Sequence, residues 1–380
     1  MKSKSINYYK VGGCIRDKII NQLLNKDIKI KDYDFVVTGA TKEDMLNLGY
    51  IPIGKDFPVF LHPKTNEEYA LARTERSTGI GHNMFICRTE HVSLEEDLSR
   101  RDITINAIAE DINGNLIDPF GGYQDIKNQI IRHVSHAFVE DPLRILRVAR
   151  FATLLNFTVA SETMKLMKRM SEGKLLQALP QERIYTEIIK ASNNNNFYKF
   201  LEVLKESNNM KFVFPNLENI LSMTNLPISF SFCETSLENL AMILILEIIS
   251  NSTTTNYHLE ESFPFLKEQS YKKKLKLIYA IITHALSGYS YGNNTIKSLM
   301  VISNQLRNMT DCKILDMVAK ISKNLDKRPY DTINTFLMTL KKIQQTIQQQ
   351  DFTTSPATKI IQQKYSIIEK IYYDFYLTIK

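Results

Sequence analysis

The sequence is short of the features that mark a secreted or membrane chain. Its 380 residues include four cysteines, Cys14, Cys87, Cys233 and Cys312, with no Cys-x-x-Cys pair among them. So scattered a set excludes a disulfide framework and a thiolate zinc site, and it fits a reducing compartment. No apolar run is long enough to span a bilayer. The opening residues MKSKSINYYK lack the apolar core of a signal peptide and the Arg-rich pattern of a transit peptide. Seven histidines show no metal-ligand spacing. The expectation is a cytoplasmic protein with no membrane partner.

What is present is length and positive charge. A chain of this size has room for about two to four small domains with their own cores. The net charge of +7 suits a polyanionic partner, although much of the excess is dispersed lysine.

The chemistry concentrates between Lys10 and Val37, in KVGGCIRDKIINQLLNKDIKIKDYDFVV. The pattern predicts a strand, a glycine turn, a helix, a short loop and a second strand. Gly12 and Gly13 let backbone N–H groups approach an anion at the helix N-terminus, and Arg16, one turn on, reaches the same anion. Asp32 and Asp34 flank Tyr33 where the second strand begins, so alternation predicts that both carboxylates face one side. Two carboxylates beside an anion-binding turn are suited to holding Mg²⁺ against phosphates.

Further along, Thr41 is expected to cap a helix over 41–48, and YIPIG, FPVFLH and EEYALA read as strands of a mixed sheet. Residues 73–92 break the periodicity and read as a loop carrying Arg73, Glu75 and Arg76. Ser93-Leu94-Glu95-Glu96 is a capping-box pattern that leads into LSRRDITINA. Asn113-Gly114 predicts a hairpin turn, and Gly121-Gly122 a hinge. Asp141-Pro142 opens a helix on which Arg144, Arg147 and Arg150 recur every third residue.

The segments GGCIRD…KDYDFVV, RRDITINA, DPFGGYQDI, EDPLRILRVARF and LPQERI resemble the successive blocks of class II (bacterial-type) tRNA nucleotidyltransferases, the CCA-adding enzymes of the polymerase-beta-like nucleotidyltransferase superfamily. The resemblance covers roughly the first 210 residues. It implies an α+β fold, with a nucleotidyltransferase head containing a mixed β-sheet and flanking helices, followed by an all-helical neck, body and tail. The implied division is a head over 1–139, a nucleotide-selecting, RNA-binding neck over 140–206, and a tRNA-binding body and tail over 207–380. Many bacterial relatives carry an HD phosphohydrolase domain in that last segment. Beyond Pro215 this chain has no His-Asp dipeptide and only His258 and His284, so none is expected.

By the same resemblance, Asp32 and Asp34 are the catalytic metal ligands and Mg²⁺ is the cofactor. Gly13, Arg16 and Arg101 contact the triphosphate, Asp102 and Asn106 shape the site, and Glu68 is a candidate third carboxylate, with Glu67 equally available. Asp141 and Arg144 are the base readers, with Arg147 and Arg150 supporting them or binding phosphate. The chemistry is suited to the task. An Asp acceptor beside an Arg donor complements the amino group and ring nitrogen shared by cytosine and adenine. Uracil and guanine present the reverse order and leave a buried group unpaired, at a cost of about 1–3 kcal/mol. The implied activity is template-independent addition of C, C and A to the tRNA 3′ end from CTP and ATP, with release of pyrophosphate. No protein partner is implied. Poly(A) polymerase of the same class and CC-only addition are the alternatives. A non-catalytic RNA-binding protein is the reading from a different class, and the presence of both aspartates opposes it. Lys272, Lys273, Lys274, Lys276, Lys341 and Lys342 are candidate RNA contacts, and Arg183 reads as structural, paired with an acidic neighbour.

Overall fold

The computed structural model describes residues 5–30, 32–53, 58–77, 85–218, 233–250, 259–286, 293–306, 309–324, 327–350 and 356–379. The chain divides into two compact units, one of residues 1–191 and 199–212, the other of residues 192–198 and 213–380.

The first unit opens with β1 (Asn7–Val11), α1 (Gly13–Leu24), β2 (Asp34–Thr38), α2 (Lys42–Asn47), β3 (Ile51–Ile53), β4 (Val59–Leu61) and β5 (Glu68–Leu71). Next come β6 (Thr74–Ser77), β7 (Phe85–Arg88), α3 (Leu94–Ser99), β8 (Ala109–Glu110), β9 (Leu116–Ile117) and α4 (Gly122–Lys127). A seven-stranded mixed sheet runs β3-β4-β5-β2-β1-β8-β9. Its β2–β5 pair is parallel and sets Asp34 opposite Glu68. The β1–β2 pair is antiparallel and sets Val11 opposite Asp34. Apolar alternation explains why this sheet forms. Val36 packs with Val11, Ala72, Leu98 and Ala109 on one face, while Val37 packs with Met45, Phe60, Tyr69 and Leu71 on the other.

Local signals place the short helices. Thr41 and Ser93 each cap a helix in a full capping box, with Asp44 and Glu96 closing it. The expected turn at Asn113-Gly114 joins β8 to β9, with Gly114 at φ +85°. In the Gly121-Gly122 pair, Gly122 is a packing point. A Cβ on Gly122 would lie 2.3 Å from the Thr104 carbonyl oxygen, so only glycine lets α4 sit this close. The loop expected over 73–92 differs: its flanks form the antiparallel β6–β7 ribbon, and residues 78–84 lie outside the described residues.

The same unit continues through β10 (Ile130–Ile131), α5 (Leu143–Leu155), β11 (Thr158–Val159), α6 (Ser161–Glu172), α7 (Gln181–Ser192) and α8 (Phe197–Glu206). The second unit is helical, with helices over Ser236–Ser250, Gln269–Leu286, Asn293–Gln305, Met309–Ser322, Lys327–Gln348 and Ala357–Ile379. The Leu/Ile/Lys/Asn-rich sequence here reads as helices over 235–250, 267–288, 294–306, 311–324, 330–350 and 356–379, and each observed end lies within three residues of that reading. Its core includes Phe214, Phe263 and Phe265, whose rings meet edge to face. Among the described residues, no helix is long and apolar enough to cross a membrane.

Candidate active site

A cleft of about 420 Å³ lies within the first unit. Val11, Asp34, Val36, Glu68 and Ala70 line it from β1, β2 and β5. Arg73, Arg100, Arg101 and Asp102 line it from the segments around α3, and Asp141, Arg144, Arg147 and Arg183 from the helical part. Residues as far apart in sequence as Val11 and Arg183 thus share one opening, because the start of α5 and the start of α7 both face the end of the sheet.

Asp34 begins β2, whereas Asp32 lies just before it, outside the ladder. Strand alternation therefore does not by itself bring the two together, contrary to the expectation from spacing. They are nonetheless electrostatically coupled. Desolvation against the cleft wall raises the Asp34 pKa and the Asp32 charge raises it further, while Arg101 opposes both. A pair of carboxylates short of positive charge is the condition that a divalent cation relieves, and one or two carboxylates with phosphate oxygens suffice for a hard cation. The site residues present fit such an ion. Among the described residues no group of three or more His, Cys, Asp or Glu side chains is gathered closely enough to hold a metal alone. Glu68 lines the cleft opposite Asp34, whereas Glu67 accepts a hydrogen bond from the Thr65 hydroxyl at 2.7 Å and is absent from the lining.

The glycine turn forms a cradle. Gly12 has φ +75°, and a Cβ there would lie 3.2 Å from Arg101 Nη1 and 3.9 Å from Asp34 Oδ2. Gly13 is the first residue of α1, a helix of 12 residues with no acid in its first turn. Arg101 donates from Nη1 to the Asn106 carbonyl at 3.3 Å and from Nη2 to Asp97 Oδ2 at 3.3 Å. Its Nε is buried without a hydrogen-bond partner. The guanidinium edge at Nη1, which borders the space left by Gly12, is suited to an anion. Arg16 is placed differently from the expectation. Nε donates to Asp17 at 2.8 Å and Nη1 to Asn106 Oδ1 at 2.8 Å, and Arg16 is not in the cleft lining.

Asp141 lies one residue before the N-cap of α5, which is Pro142. Its Oδ1 still accepts from the N–H of Leu143, the first residue of α5, at 3.1 Å. Arg183, read from sequence as structural, pairs with this same carboxylate at 2.8 Å. Arg144 donates to the carbonyls of Ala137 at 2.8 Å and Arg100 at 2.6 Å, which fixes its guanidinium in the wall. Arg147 pairs with Asp102 at 2.7 Å. Burial pushes the Asp102 carboxyl up, but Arg147 and Asn106 outweigh it and hold the pKa below the usual range. Asn106 completes a chain from Arg147 through Asp102 to Arg16. Arg150 lies outside the cleft lining, paired with buried Glu187 at 2.5 Å. Arg16, Arg147 and Arg150 all stack on the ring of Phe151, at 5.1, 5.7 and 4.2 Å from its centroid.

Sequence reasoning missed Asp97 and Glu187. For Asp97 a signal exists: on a capped helix its spacing of three and four to Arg100 and Arg101 marks an ion-pairing position.

The mixed sheet with carboxylates at one end of its inner strands, joined to helices that share its cleft, is the architecture of a nucleotidyltransferase head with helical domains. Residues 8–132 match the Poly A polymerase head domain, and residues 156–221 match the probable RNA and SrmB-binding site of polymerase A. Over its first half the chain is similar to bacterial CCA-adding enzymes. It is 50% identical over 221 residues to the "Multifunctional CCA protein" of Mannheimia succiniciproducens, covering 57% of this chain and 51% of the relative. It is 50% identical over 217 residues to a CCA-adding enzyme of Alteromonas mediterranea, covering 56% and 53%. The chain thus spans about half the length of the curated relatives it matches. Among solved structures, the Bacillus stearothermophilus CCA-adding enzyme in complex with CTP aligns with TM-score 0.59 and 23% identity over 90% of this chain and 78% of its own, a likeness of fold. A tRNA nucleotidyltransferase complexed with a primer tRNA and an incoming ATP analog aligns with TM-score 0.53 and 26% identity, over 90% and 97%.

Proposed function

We propose that this protein adds C, C and A to the 3′ end of tRNA from CTP and ATP, without a nucleic-acid template, releasing pyrophosphate. The observation that carries this reading is the shared cleft: Asp34 and Glu68 on the sheet, Arg101 beside the glycine turn, and Asp141 with Arg144 at the start of α5. The names of the curated relatives support the same reaction.

In this reading the head covers 1–139, the neck 140–206 and the body and tail 207–380, and the reaction runs in the cytoplasm. Asp32 and Asp34 hold a divalent metal, Mg²⁺, with Glu68 as the adjoining carboxylate. When bound, the ion lowers the pKa of the primer 3′-hydroxyl and neutralises charge on the leaving pyrophosphate.

The chain's own residues do the rest. The N–H of Gly13 and the guanidinium of Arg101 orient the triphosphate, and Arg16 contributes through Asn106 by fixing the floor beneath it. Asp141 accepts from the exocyclic amino group of C or A, and Arg144 donates to the ring nitrogen. Although Arg183 and the Leu143 N–H already use part of the Asp141 carboxylate, a carboxylate has about four acceptor sites, so capacity for a base remains. Arg147 braces this edge through Asp102, and Arg150 braces it through Glu187.

The test is extension of a tRNA transcript lacking its terminal CCA, sized at single-nucleotide resolution with Mg²⁺ and CTP, ATP or both. Two additions with CTP and one further addition with ATP, followed by a stop, are expected. A long ladder with ATP alone identifies a poly(A) polymerase instead, and a halt at CC with both nucleotides identifies a CC-adding enzyme. Binding without extension leaves only an RNA-binding protein.

A further inference from the structure

Asp97, on α3, is completely buried and gathers donors from three residues. Oδ1 accepts from the Arg73 N–H at 3.2 Å, from Arg100 Nε at 3.1 Å and from Arg100 Nη2 at 2.8 Å. Oδ2 accepts from Arg101 Nη2 at 3.3 Å. Burial pushes this carboxyl up, yet Arg100 and Arg101 outweigh it and hold the pKa below the usual range. Arg100 Nε also donates to the Arg73 carbonyl at 3.0 Å. Both polar groups of the Arg73 backbone are therefore taken by the Asp97–Arg100 pair, at the last residue before β6. Arg101 is held by its two terminal nitrogens, through Asp97 and the Asn106 carbonyl, and its Nη1 borders the Gly12 turn.

We propose that Asp97 is a positioning residue. It orients Arg101 toward the nucleotide phosphates and at the same time pins Arg73, where the β6–β7 ribbon leaves the sheet. One buried carboxylate thus sets both the phosphate contact and the root of the ribbon. This rests on the reading of Arg101 as a phosphate contact given above.

The two oxygens have different duties, so one substitution can separate them. In Asp97→Asn the amide oxygen goes to the Oδ1 position, where three donors converge, and the amide NH₂ faces Arg101 Nη2, donor against donor. The root of the ribbon stays held while Arg101 is released. In Asp97→Ala both functions are lost.

The experiment measures kcat and KM for CTP and for ATP in the full chain carrying D97N, D97A, R101A and D97N/R101A. Hydrogen exchange at the Arg73 amide and Tm are followed in each. D97N is expected to raise KM for both nucleotides about tenfold, with a smaller change in kcat, and to leave Arg73 exchange unchanged. D97A raises KM and also speeds that exchange. The double variant is expected to be no worse than R101A alone, which a general structural role would not produce. The proposal is overturned if R101A raises KM while D97N does not, or if the two effects multiply. If R101A itself leaves KM unchanged, the phosphate-contact reading fails first and takes this proposal with it. Should D97N not fold, D97E is read by the same assay: it keeps the charge and displaces the carboxylate by one methylene. A D97E variant with wild-type KM for both nucleotides overturns the proposal equally.

Discussion

Arg183 binds both oxygens of Asp141, with Nη2 at 2.8 Å from Oδ2 and Nη1 at 3.3 Å from Oδ1. The two residues come from the starts of different helices, α7 and α5. A two-point contact of this kind fixes the plane of a carboxylate as well as its position. Arg183→Ala frees that plane, and we expect KM for CTP and ATP to rise roughly tenfold, the scale of one charge-assisted hydrogen bond. Misincorporation of UTP should rise with it. Arg183→Lys, which supplies charge without the fork, is expected to restore affinity more than selectivity. Steady-state kinetics with each nucleotide on a CCA-less tRNA checks this.

Asp34 sets function against stability. Its pKa is raised in the folded protein by desolvation and by Asp32. A carboxyl with a raised folded-state pKa favours folding below its unfolded pKa, and that contribution is lost as pH rises through the folded value. At neutral pH the ionised group therefore destabilises the metal-free protein. Asp34→Asn is expected to abolish nucleotide addition while raising the metal-free Tm at pH 7, with the Tm gain shrinking as the pH is lowered. Thermal unfolding across pH 4–8 in EDTA reads this directly. A Tm that falls at pH 7 would contradict it.

Glu68 and Glu67 are neighbours with different surroundings. Glu68 faces the cleft opposite Asp34, and Glu67 is tied to Thr65. Glu68→Gln is expected to lower kcat at least tenfold and to raise the metal concentration needed for half-maximal rate, as the loss of a ligating or adjoining charge does. Glu67→Gln should leave both within about twofold, since it removes only an exposed hydrogen bond. Metal titrations of the two variants side by side decide it.

Gly122 has no room for a side chain. An added Cβ meets the Thr104 carbonyl at 2.3 Å and Ile108 Cγ1 at 2.9 Å. Gly122→Ala must push α4 off the 3₁₀ turn at Thr104–Asn106, and overpacking of this kind costs about 1–3 kcal/mol. We expect a lower Tm with little change in the KM values of protein that remains folded. Chemical denaturation together with kinetics separates the two.

The fold was largely legible from the sequence because its signals are local. Thr41 and Ser93 announce their helices with their own side chains, and the helices of the second unit fall on its Leu/Ile/Lys/Asn-rich stretches. The site was legible in part. Asp34, Arg101, Asp141, Arg144 and Arg147 do line one cleft. Arg16 and Arg150 are cations whose charge is spent elsewhere, on Asp17 with Asn106 and on Glu187. Those partners are remote in sequence or follow no helical spacing, so a linear reading sees a basic stripe where the folded chain has ion pairs. Gly122 is a further case. A glycine pair reads as freedom, and only the packed carbonyl of Thr104 shows the need for smallness.

Phe151, with three guanidinium groups stacked around one ring, bears on how the protein answers ionic strength. Arg16 and Arg150 are only 13% and 11% exposed, and acidic partners sit within the same enclosure. Mobile ions screen such charges weakly, whereas the attraction between exposed lysines and a polyanion falls steeply as salt rises. In the function proposed above, salt should therefore detach the tRNA from the surface well before it loosens the packing around this ring. Activity lost on adding salt would then return in full on dilution, because the cleft itself had never come apart.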